Sequence, residues 1–364
     1  MPEPGLDREP SGNVAQPRRR RRTGTALLAS LAIVAVFAAA ALFALRGVTG
    51  GLLPAKDFDG PGTREAIVKI GPGDTAGAIG KTMESVGVVG SAEAFRKAAA
   101  ANPESRSIQP GTYRLKKDMK ATAALALLLN SESRVRQKVV VPEGATAAQI
   151  AASVADSLGV SDEPVLAVMK EPTALGLPDY AEGRVEGFLY PATYSFEPGT
   201  TPTQALTAMV ERYEQAVDSM GFEEAAASRE ISQYELLTVA SIVQAEAKLP
   251  EDFPKVARVI YNRLDVDMRL EMDSTINYVL DERKVHLSID DTEVESEFNT
   301  YRTRGLPPTP INSPGEMALR AAMHPAPGDW IYFVTVDKEG RNAFSESYEE
   351  FLRNKRIGEE GRGD

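Results

Sequence analysis

The stretch YELLTVASIVQAEA, Tyr234–Ala247, has the apolar spacing of a helix and predicts one with an acidic residue in an unusual place. At about 100° per residue, Glu246 projects within about 40° of Ile242 and about 20° of Val239, so it shares the apolar face of that helix. Gln244 points the other way and is expected to face solvent. The pattern therefore predicts a carboxyl group turned toward a protein interior.

A carboxylate on an apolar face is costly when it is charged. Desolvation raises its pKa and keeps it protonated near neutral pH. A protonated carboxyl is what general-acid cleavage of a glycosidic bond requires. The alternative is a hydrated Glu246 at the helix end, near Lys248.

Composition narrows the kinds of chemistry that the chain can support. The 364 residues are 43% hydrophobic and 26% charged, which suits two or three modest folded domains. The net charge of -11 argues against nucleic acid as a partner, because nucleic-acid binding needs a basic surface. The absence of cysteine excludes disulfides, thiol catalysis and Cys-ligated metals. With only His286 and His324 present, a His-rich metal site or a Ser-His-Asp triad is a poor interpretation.

The N-terminal region predicts a membrane anchor. Thr23–Leu45 is apolar without a break and follows five arginines, Arg18–Arg22. This pattern predicts a single-pass transmembrane helix with its N-terminus in the cytoplasm and the rest of the chain outside, hence a cell-membrane localisation. The alternative is a cleaved signal peptide, although its apolar core would be shorter. Residues 1–22 are predicted to be a disordered cytoplasmic tail, and 46–63 a linker.

Residues 64–135 are predicted to form a small α+β module. Its expected order is a strand at Ala66–Ile70, two helices at 76–86 and Ala92–Ala100, and a strand at Gly111–Lys116. This order resembles a LysM-like glycan-binding module. The alternative is a small packing domain without a ligand.

Residues 136–357 are predicted to be the catalytic domain, mainly helical with small β elements, followed by a tail at 358–364. The fold class is therefore expected to be α+β. Helices are predicted at Thr146–Leu158, Thr203–Met220 and Phe253–Leu264. Glu186–Pro198 is interrupted by proline and cannot be one long regular helix.

Five ordered motifs resemble those of the YceG-like (MltG) family of endolytic lytic transglycosylases. They are ASIVQAEA at Ala240–Ala247, EGFLYPATY at Glu186–Tyr194, VARVIYNRL at Val256–Leu264, MRLEMDST at Met268–Thr275, and the stretch from FNTY at Phe298–Tyr301 through GLPP and INSPG to His324-Pro325. Together with the predicted anchor and module, the resemblance covers about residues 23–350.

The resemblance implies that the substrate is the bond between N-acetylmuramic acid and N-acetylglucosamine in peptidoglycan. It implies that Glu246 acts first as acid and then as base, closing a 1,6-anhydro ring at the end of a nascent strand and so terminating its elongation. No metal or organic cofactor is called for. Implied partners are peptidoglycan glycan strands, the membrane and the wall-synthesis machinery.

The remaining motif residues are expected to hold the sugar. They are Glu186, Tyr194, Asn262, Asp273, Asn299, Thr300 and Tyr301. Structural alternatives stay open: Glu186 caps a loop backbone, and Arg263 forms a buried ion pair with Asp273. Gly187 and His324 are expected to serve structure, the latter by packing or hydrogen bonding.

Two positions depart from the family pattern. Many members carry an acid where this chain has Gln244, and often a glutamine where it has Glu271. Glu271 adds a carboxylate near the expected site. Two other functions therefore stay open: a muramidase that uses Glu246 with Glu271 or Asp273, and a non-catalytic peptidoglycan-binding or division scaffold.

Overall fold

The structure is a computed structural model that describes residues 55–280, 284 and 287–362. In chain order its elements are β1 (Glu65–Ile70), α1 (Ala76–Val86), α2 (Ala92–Ala101), β2 (Gly111–Lys116), α3 (Ala121–Leu129), β3 (Gln137–Val140), α4 (Ala147–Leu158), α5 (Asp162–Lys170), β4 (Thr193–Phe196), α6 (Pro202–Met220), α7 (Phe222–Ser228), α8 (Gln233–Glu246), α9 (Phe253–Asp265), α10 (Asp273–Val279), α11 (Ile289–Thr292), α12 (Glu316–Met323), β5 (Tyr332–Thr335), β6 (Asn342–Ser345) and α13 (Tyr348–Arg362).

The predicted fold class needs correction. The spanning helix expected at Thr23–Leu45 lies outside the described residues, as do the tail 1–22 and most of the linker. Within the described part of the chain, no helix is long and apolar enough to cross a membrane. Even α6, which has 19 residues, carries charged side chains such as Arg212 along its length. The described chain is α+β, mostly helical with small sheets.

The chain divides into two compact units, one of which contains Thr75–Arg106 and Lys116–Leu125. In this unit, α1 packs against α2 at Gly80, where a Cβ would come within 2.8 Å of the carbonyl oxygen of Ala92. The helix α1 begins where the Thr75 hydroxyl accepts a hydrogen bond from the Ala78 N–H.

The second unit contains Glu65–Asp74, Ser107–Leu115 and everything from Ala126 onward. Strand β1 pairs with β2, so the strand-helix-helix-strand order expected for residues 66–116 is present. Strands β3 and β4 pair antiparallel with Val139 opposite Tyr194, and β5 and β6 pair antiparallel with Phe333 opposite Phe344. The domain boundaries expected from the sequence remain predictions.

The helix α8 lies at the centre of the second unit. Every residue from Leu236 to Val243 is buried, and α7, α9, α10 and α12 all pack against it. The sequence pattern indicated one apolar face, but in the structure this part of the helix is buried on all sides. The helix starts with a capping box between Ser232 and Glu235, and it ends at Glu246, where the chain leaves the core.

Candidate active site

Glu246 is the last residue of α8, and its side chain is partly buried. Its Oε1 accepts a hydrogen bond of 3.2 Å from the backbone N–H of Ser274, the second residue of α10. The Ser274 hydroxyl is buried beside the same carboxyl group. The end of α8 and the start of α10 thus meet at one carboxyl group.

Burial is the largest influence on Glu246 and raises the pKa of its carboxyl group. Ser274 lowers that pKa by hydrogen bonding, Asp273 raises it by charge repulsion, and the guanidinium of Arg263 lowers it by attraction. The net direction is upward. The expectation that Glu246 carries a raised pKa therefore agrees with the structure, and the reason is burial at the end of a core helix.

The segment that brings Ser274 to Glu246 is held by two buried threonines. Oγ1 of Thr300 accepts a hydrogen bond of 2.9 Å from the backbone N–H of Met272, and it lies 2.9 Å from Oγ1 of Thr275. The backbone N–H of Glu271 donates to the carbonyl oxygen of Thr300 at 3.1 Å. Thr300 is fully buried, so its side chain supports the site and has no free face for a sugar.

Asp273 and Tyr301 form a pair at the surface of the site. The Tyr301 hydroxyl donates to Oδ1 of Asp273 at 2.5 Å, and Asp273 is exposed. Glu271 is also exposed and has a positive φ of 47°, but Asp273 is the carboxylate whose charge acts on Glu246. The structure thus brings Asp273, Tyr301 and Glu246 into one neighbourhood.

Arg263 is a buried cation behind the site, and its partners are carbonyl oxygens. Its Nε donates to Ile331 at 2.6 Å, and its Nη1 donates to Leu270 at 2.5 Å. Burial lowers the pKa of the guanidinium, while the charge of Glu271 opposes that change. The ion pairs formed by the described residues do not include one with Asp273, so the alternative of a buried Arg263–Asp273 pair is wrong.

Two asparagines expected to contact sugar bind the backbone of this chain. Asn262 donates through Nδ2 to the carbonyl oxygens of Gly328 and Trp330, at 3.0 and 2.9 Å. Asn299 is fully buried; its Nδ2 donates to two carbonyl oxygens at 2.7 and 2.9 Å, and its Oδ1 accepts from the Tyr301 N–H at 3.0 Å. These contacts favour a structural role for both residues.

Tyr194 and Glu186 make their hydrogen bonds to other residues of the same unit. The Tyr194 hydroxyl donates to the carbonyl oxygen of Tyr190 at 2.6 Å. Glu186 accepts from the backbone N–H of Ala147, the first residue of α4, at 2.9 Å, and from the Tyr278 hydroxyl at 3.0 Å. This geometry matches the capping alternative for Glu186. Burial raises the pKa of Glu186 to about 7.

A polar pocket of about 470 Å³ opens beside Glu246. Gln244 and Ala245 line it from α8, Ser274 and Tyr278 from α10, and Asn312 from the segment before α12. A larger pocket of about 600 Å³ lies around the first half of α8 and is lined by Tyr234 and Thr238 among others. Glu246 is not itself a lining residue of the smaller pocket, but Ala245, its neighbour in the chain, and Ser274, its hydrogen-bond donor, both are. We therefore take the smaller pocket as the candidate substrate site.

Several site residues could not be recognised from the sequence. Gln244 was expected to face solvent, but it is half-buried and its Oε1 accepts a hydrogen bond of 2.8 Å from the Gly315 N–H. Ser274 and Asn312 follow motif residues but carry no pattern that singles them out. The expectation that His324 packs or hydrogen-bonds is not met, since its side chain is exposed at the end of α12. His286 lies outside the described residues.

Among residues 55–280 and 287–362, no group of three or more His, Asp or Glu side chains is arranged to hold a metal ion. The ionisable groups that interact with Glu246 include Asp273, Tyr301 and Arg263. Chemically, the arrangement offers one carboxyl group with a raised pKa, one exposed carboxylate nearby, and a buried positive charge.

Comparisons with known proteins identify the family of this chain. Residues 68–357 match the model of the YceG-like family. A protein of Bacillus subtilis named endolytic murein transglycosylase is 30% identical over 298 residues, which cover 78% of this chain and 82% of that protein. A Streptococcus pneumoniae protein of the same name is 30% identical over 90% of this chain, which spans 64% of that relative's length.

A solved structure supports the same assignment. The crystal structure of a yceG-like protein from Listeria monocytogenes matches with a TM-score of 0.56 at 28% identity, covering 80% of this chain and 98% of the other. The family resemblance drawn from the five motifs is confirmed, and this chain belongs to the YceG-like family.

Proposed function

We propose that this chain is an endolytic peptidoglycan lytic transglycosylase with Glu246 as its catalytic acid. The observation that carries the proposal is the Glu246 carboxyl group, partly buried at the end of a core helix, with a raised pKa and a hydrogen bond from Ser274. The relatives named endolytic murein transglycosylase, at 30% identity over most of the chain, support the same reaction.

The first step is cleavage of the bond between C1 of N-acetylmuramic acid and O4 of N-acetylglucosamine. Protonated Glu246 gives its proton to O4 as the C1–O4 bond breaks. The neighbouring 2-acetamido group of the muramoyl sugar stabilises the electron-poor C1. Burial favours the protonated acid before this step, and the Ser274 N–H and the charge of Arg263 stabilise the carboxylate that forms.

The second step closes the ring. The carboxylate of Glu246 takes the proton of the O6 hydroxyl of the same muramoyl sugar, and O6 forms a bond with C1. The product is a 1,6-anhydro end, and Glu246 is protonated again. No water is consumed, and one carboxyl group is enough, whereas most glycosidases use two.

The proposal extends to where and on what the chain acts. Peptidoglycan lies outside the cytoplasm, so we place the reaction there. Formation of an anhydro end would terminate elongation of a nascent glycan strand, which makes the wall-synthesis machinery the expected partner. Glycan binding by the module at 64–135 and the cell-membrane localisation stay predictions.

A hydrolytic muramidase is the second candidate, and Asp273 is the observation that favours it. Asp273 is exposed, acts electrostatically on Glu246, and could activate a water molecule. In that reaction water, instead of O6, would add to C1 and leave a reducing end.

Digestion of purified glycan strands separates the candidates. We expect mass spectrometry to find 1,6-anhydro ends with the full chain, and Glu246→Gln to lower the rate by about 10²–10⁴-fold. Products with reducing ends only would show that the chain is a muramidase. The absence of cleavage would favour the non-catalytic scaffold. Full activity in Glu246→Gln would remove Glu246 from the mechanism.

A further inference from the structure

The pocket beside Glu246 has a wall that suits a neutral polar group. Its described lining residues include one carboxylate, Glu143, and no Lys, Arg or His, and the rest of the wall is mainly amide and hydroxyl groups. Its volume of about 470 Å³ falls in the range of roughly 300–1,000 Å³ typical of small-molecule sites. The pocket offers no positive charge to pair with an acid. A segment of glycan strand without a negative charge therefore suits it better than an acidic peptide does.

Gln244 places a hydrogen-bond donor on that wall. The backbone N–H of Gly315 needs an acceptor, so the atom facing it at 2.8 Å has to be Oε1 and cannot be the NH₂ group. The NH₂ group therefore points elsewhere, and no described residue accepts from it. Because Gln244 is half-buried and lines the pocket, its two N–H bonds are available to a ligand there.

Asn312 has the complementary arrangement. Its Nδ2 donates to the Ser241 carbonyl oxygen at 2.8 Å, which leaves Oδ1 as an acceptor without a partner. Asn312 is 4% exposed, so this is a buried acceptor on a residue that lines the pocket. An unpartnered buried acceptor costs about 1–3 kcal/mol, and a ligand N–H would remove that cost.

We propose that this pocket binds the 2-acetamido group of an N-acetylhexosamine in the glycan strand, and that Gln244 determines this specificity. In the proposed complex, the NH₂ group of Gln244 donates to the acetamido carbonyl oxygen, and Oδ1 of Asn312 accepts from the acetamido N–H. The inference rests on the proposed function, because it places a sugar of the substrate next to Glu246. It concerns recognition, whereas the acid chemistry belongs to Glu246.

The test uses the full chain carrying Glu246→Gln, so that bound sugar is not cleaved. Calorimetry would compare a tetramer of N-acetylglucosamine with the deacetylated tetramer of glucosamine. We expect this parent to bind the acetylated tetramer at least tenfold more tightly. Adding Gln244→Glu keeps an acceptor for Gly315 but replaces the donor with a negative charge. The ratio of the two affinities should then fall by tenfold or more. The new negative charge attracts the amines of the glucosamine tetramer, and the acetylated tetramer loses a hydrogen-bond donor.

Gln233→Glu is the matched control, because Gln233 begins the same helix and lies about 16 Å along it from Gln244. It should leave the preference at the parent value. Equal binding of both tetramers by the parent, or an unchanged preference after Gln244→Glu, would overturn this inference.

Cleavage by the otherwise unmodified chain separates this failure from a failure of the proposed function. If the chain makes anhydro ends and the preference for the acetylated tetramer is unchanged by Gln244→Glu, only the specificity role of Gln244 is refuted. If the preference depends on Gln244 but the chain makes no anhydro ends, the proposed reaction is refuted and the acetamido site is retained.

Discussion

The backbone N–H of Ser274 donates a hydrogen bond of 3.2 Å to Oε1 of Glu246. This contact joins a helix end in the core to the start of a short surface helix, so the acid is positioned by two separate parts of the chain. Burial raises the pKa of Glu246, whereas this hydrogen bond lowers it. The balance suits a group that must give up a proton and then take one back.

The charge of Asp273 should be visible in the pH dependence of the reaction. The cleavage step needs protonated Glu246, so kcat/KM should fall as pH rises through the raised pKa of this group. Asp273 raises that pKa, so Asp273→Asn should lower it and move the alkaline limb to lower pH. An asparagine can still accept from Tyr301. The measurement is the profile of kcat/KM against pH for both proteins.

Glu271→Gln is the matched control for this prediction. Glu271 is an exposed acid two residues earlier, and its charge acts on Arg263. The alkaline limb should stay at the wild-type position in this variant. If the alkaline limb moves in Glu271→Gln and stays in place in Asp273→Asn, then Glu271, and not Asp273, is the carboxylate that raises the pKa of Glu246.

Thr300 should prove to be a positioning residue. Thr300→Val leaves the N–H of buried Met272 without its acceptor, which should cost about 1–3 kcal/mol of unfolding free energy. The segment that carries Ser274 would loosen, and kcat should fall by on the order of tenfold. Urea unfolding and steady-state kinetics measure the two effects.

Thr300→Ser restores the hydroxyl and should recover most of both losses. A direct role in sugar binding predicts a different pattern. In that case Thr300→Val would raise KM and leave kcat and stability close to wild type.

The positions of the helices follow from periodicity and capping residues that the sequence displays. Thr146–Leu158 was expected and α4 spans Ala147–Leu158; Thr203–Met220 was expected and α6 spans Pro202–Met220. In both, a threonine and a glutamine form a capping box, and a glycine with positive φ ends the helix. These signals are local, so one sequence is enough to recognise them.

The site was harder to predict because its contacts join distant parts of the chain. Asn299 and Asn262 have side chains that could bind sugar, and only the fold shows that backbone carbonyls already occupy them. Gln244 looked solvent-facing because its partner, Gly315, lies 71 residues away. The burial of Glu246 was predictable for a different reason, because its position relative to Val239 and Ile242 follows from the spacing within one helix.

Gly187 should tolerate no side chain, although it makes no contact with Glu246. Its φ is 91°, and a Cβ there would lie 2.7 Å from Cβ of Pro310 and 3.2 Å from Cδ2 of Leu237. Gly187→Ala combines a left-handed backbone, about 1–2 kcal/mol, with overpacking of roughly 1–3 kcal/mol. We expect a loss of about 2–5 kcal/mol in urea unfolding.

Gly183→Ala isolates the backbone contribution. Gly183 has a φ of 74°, and a Cβ added there would have no neighbour within 4 Å among the described residues. Its substitution should cost only about 1–2 kcal/mol. Equal losses for Gly183→Ala and Gly187→Ala would mean that the close approach of Pro310 has no energetic weight.

Glu186 should make the stability of the protein depend on pH. Its folded pKa is raised from 4.5 to about 7, chiefly by burial, so the folded state holds a proton that the unfolded state has already released. The contribution of Glu186 to the free energy of unfolding is therefore fully present below pH 4.5 and is lost as pH rises through 7, at most about 3 kcal/mol in all.

Glu186→Gln retains an acceptor for Ala147 and cannot ionise, so its urea midpoint should fall less between pH 5 and pH 8 than that of the wild type. Glu163→Gln, at an exposed position of α5, should behave like the wild type. Parallel losses in all three proteins would show that Glu186 does not titrate in this range.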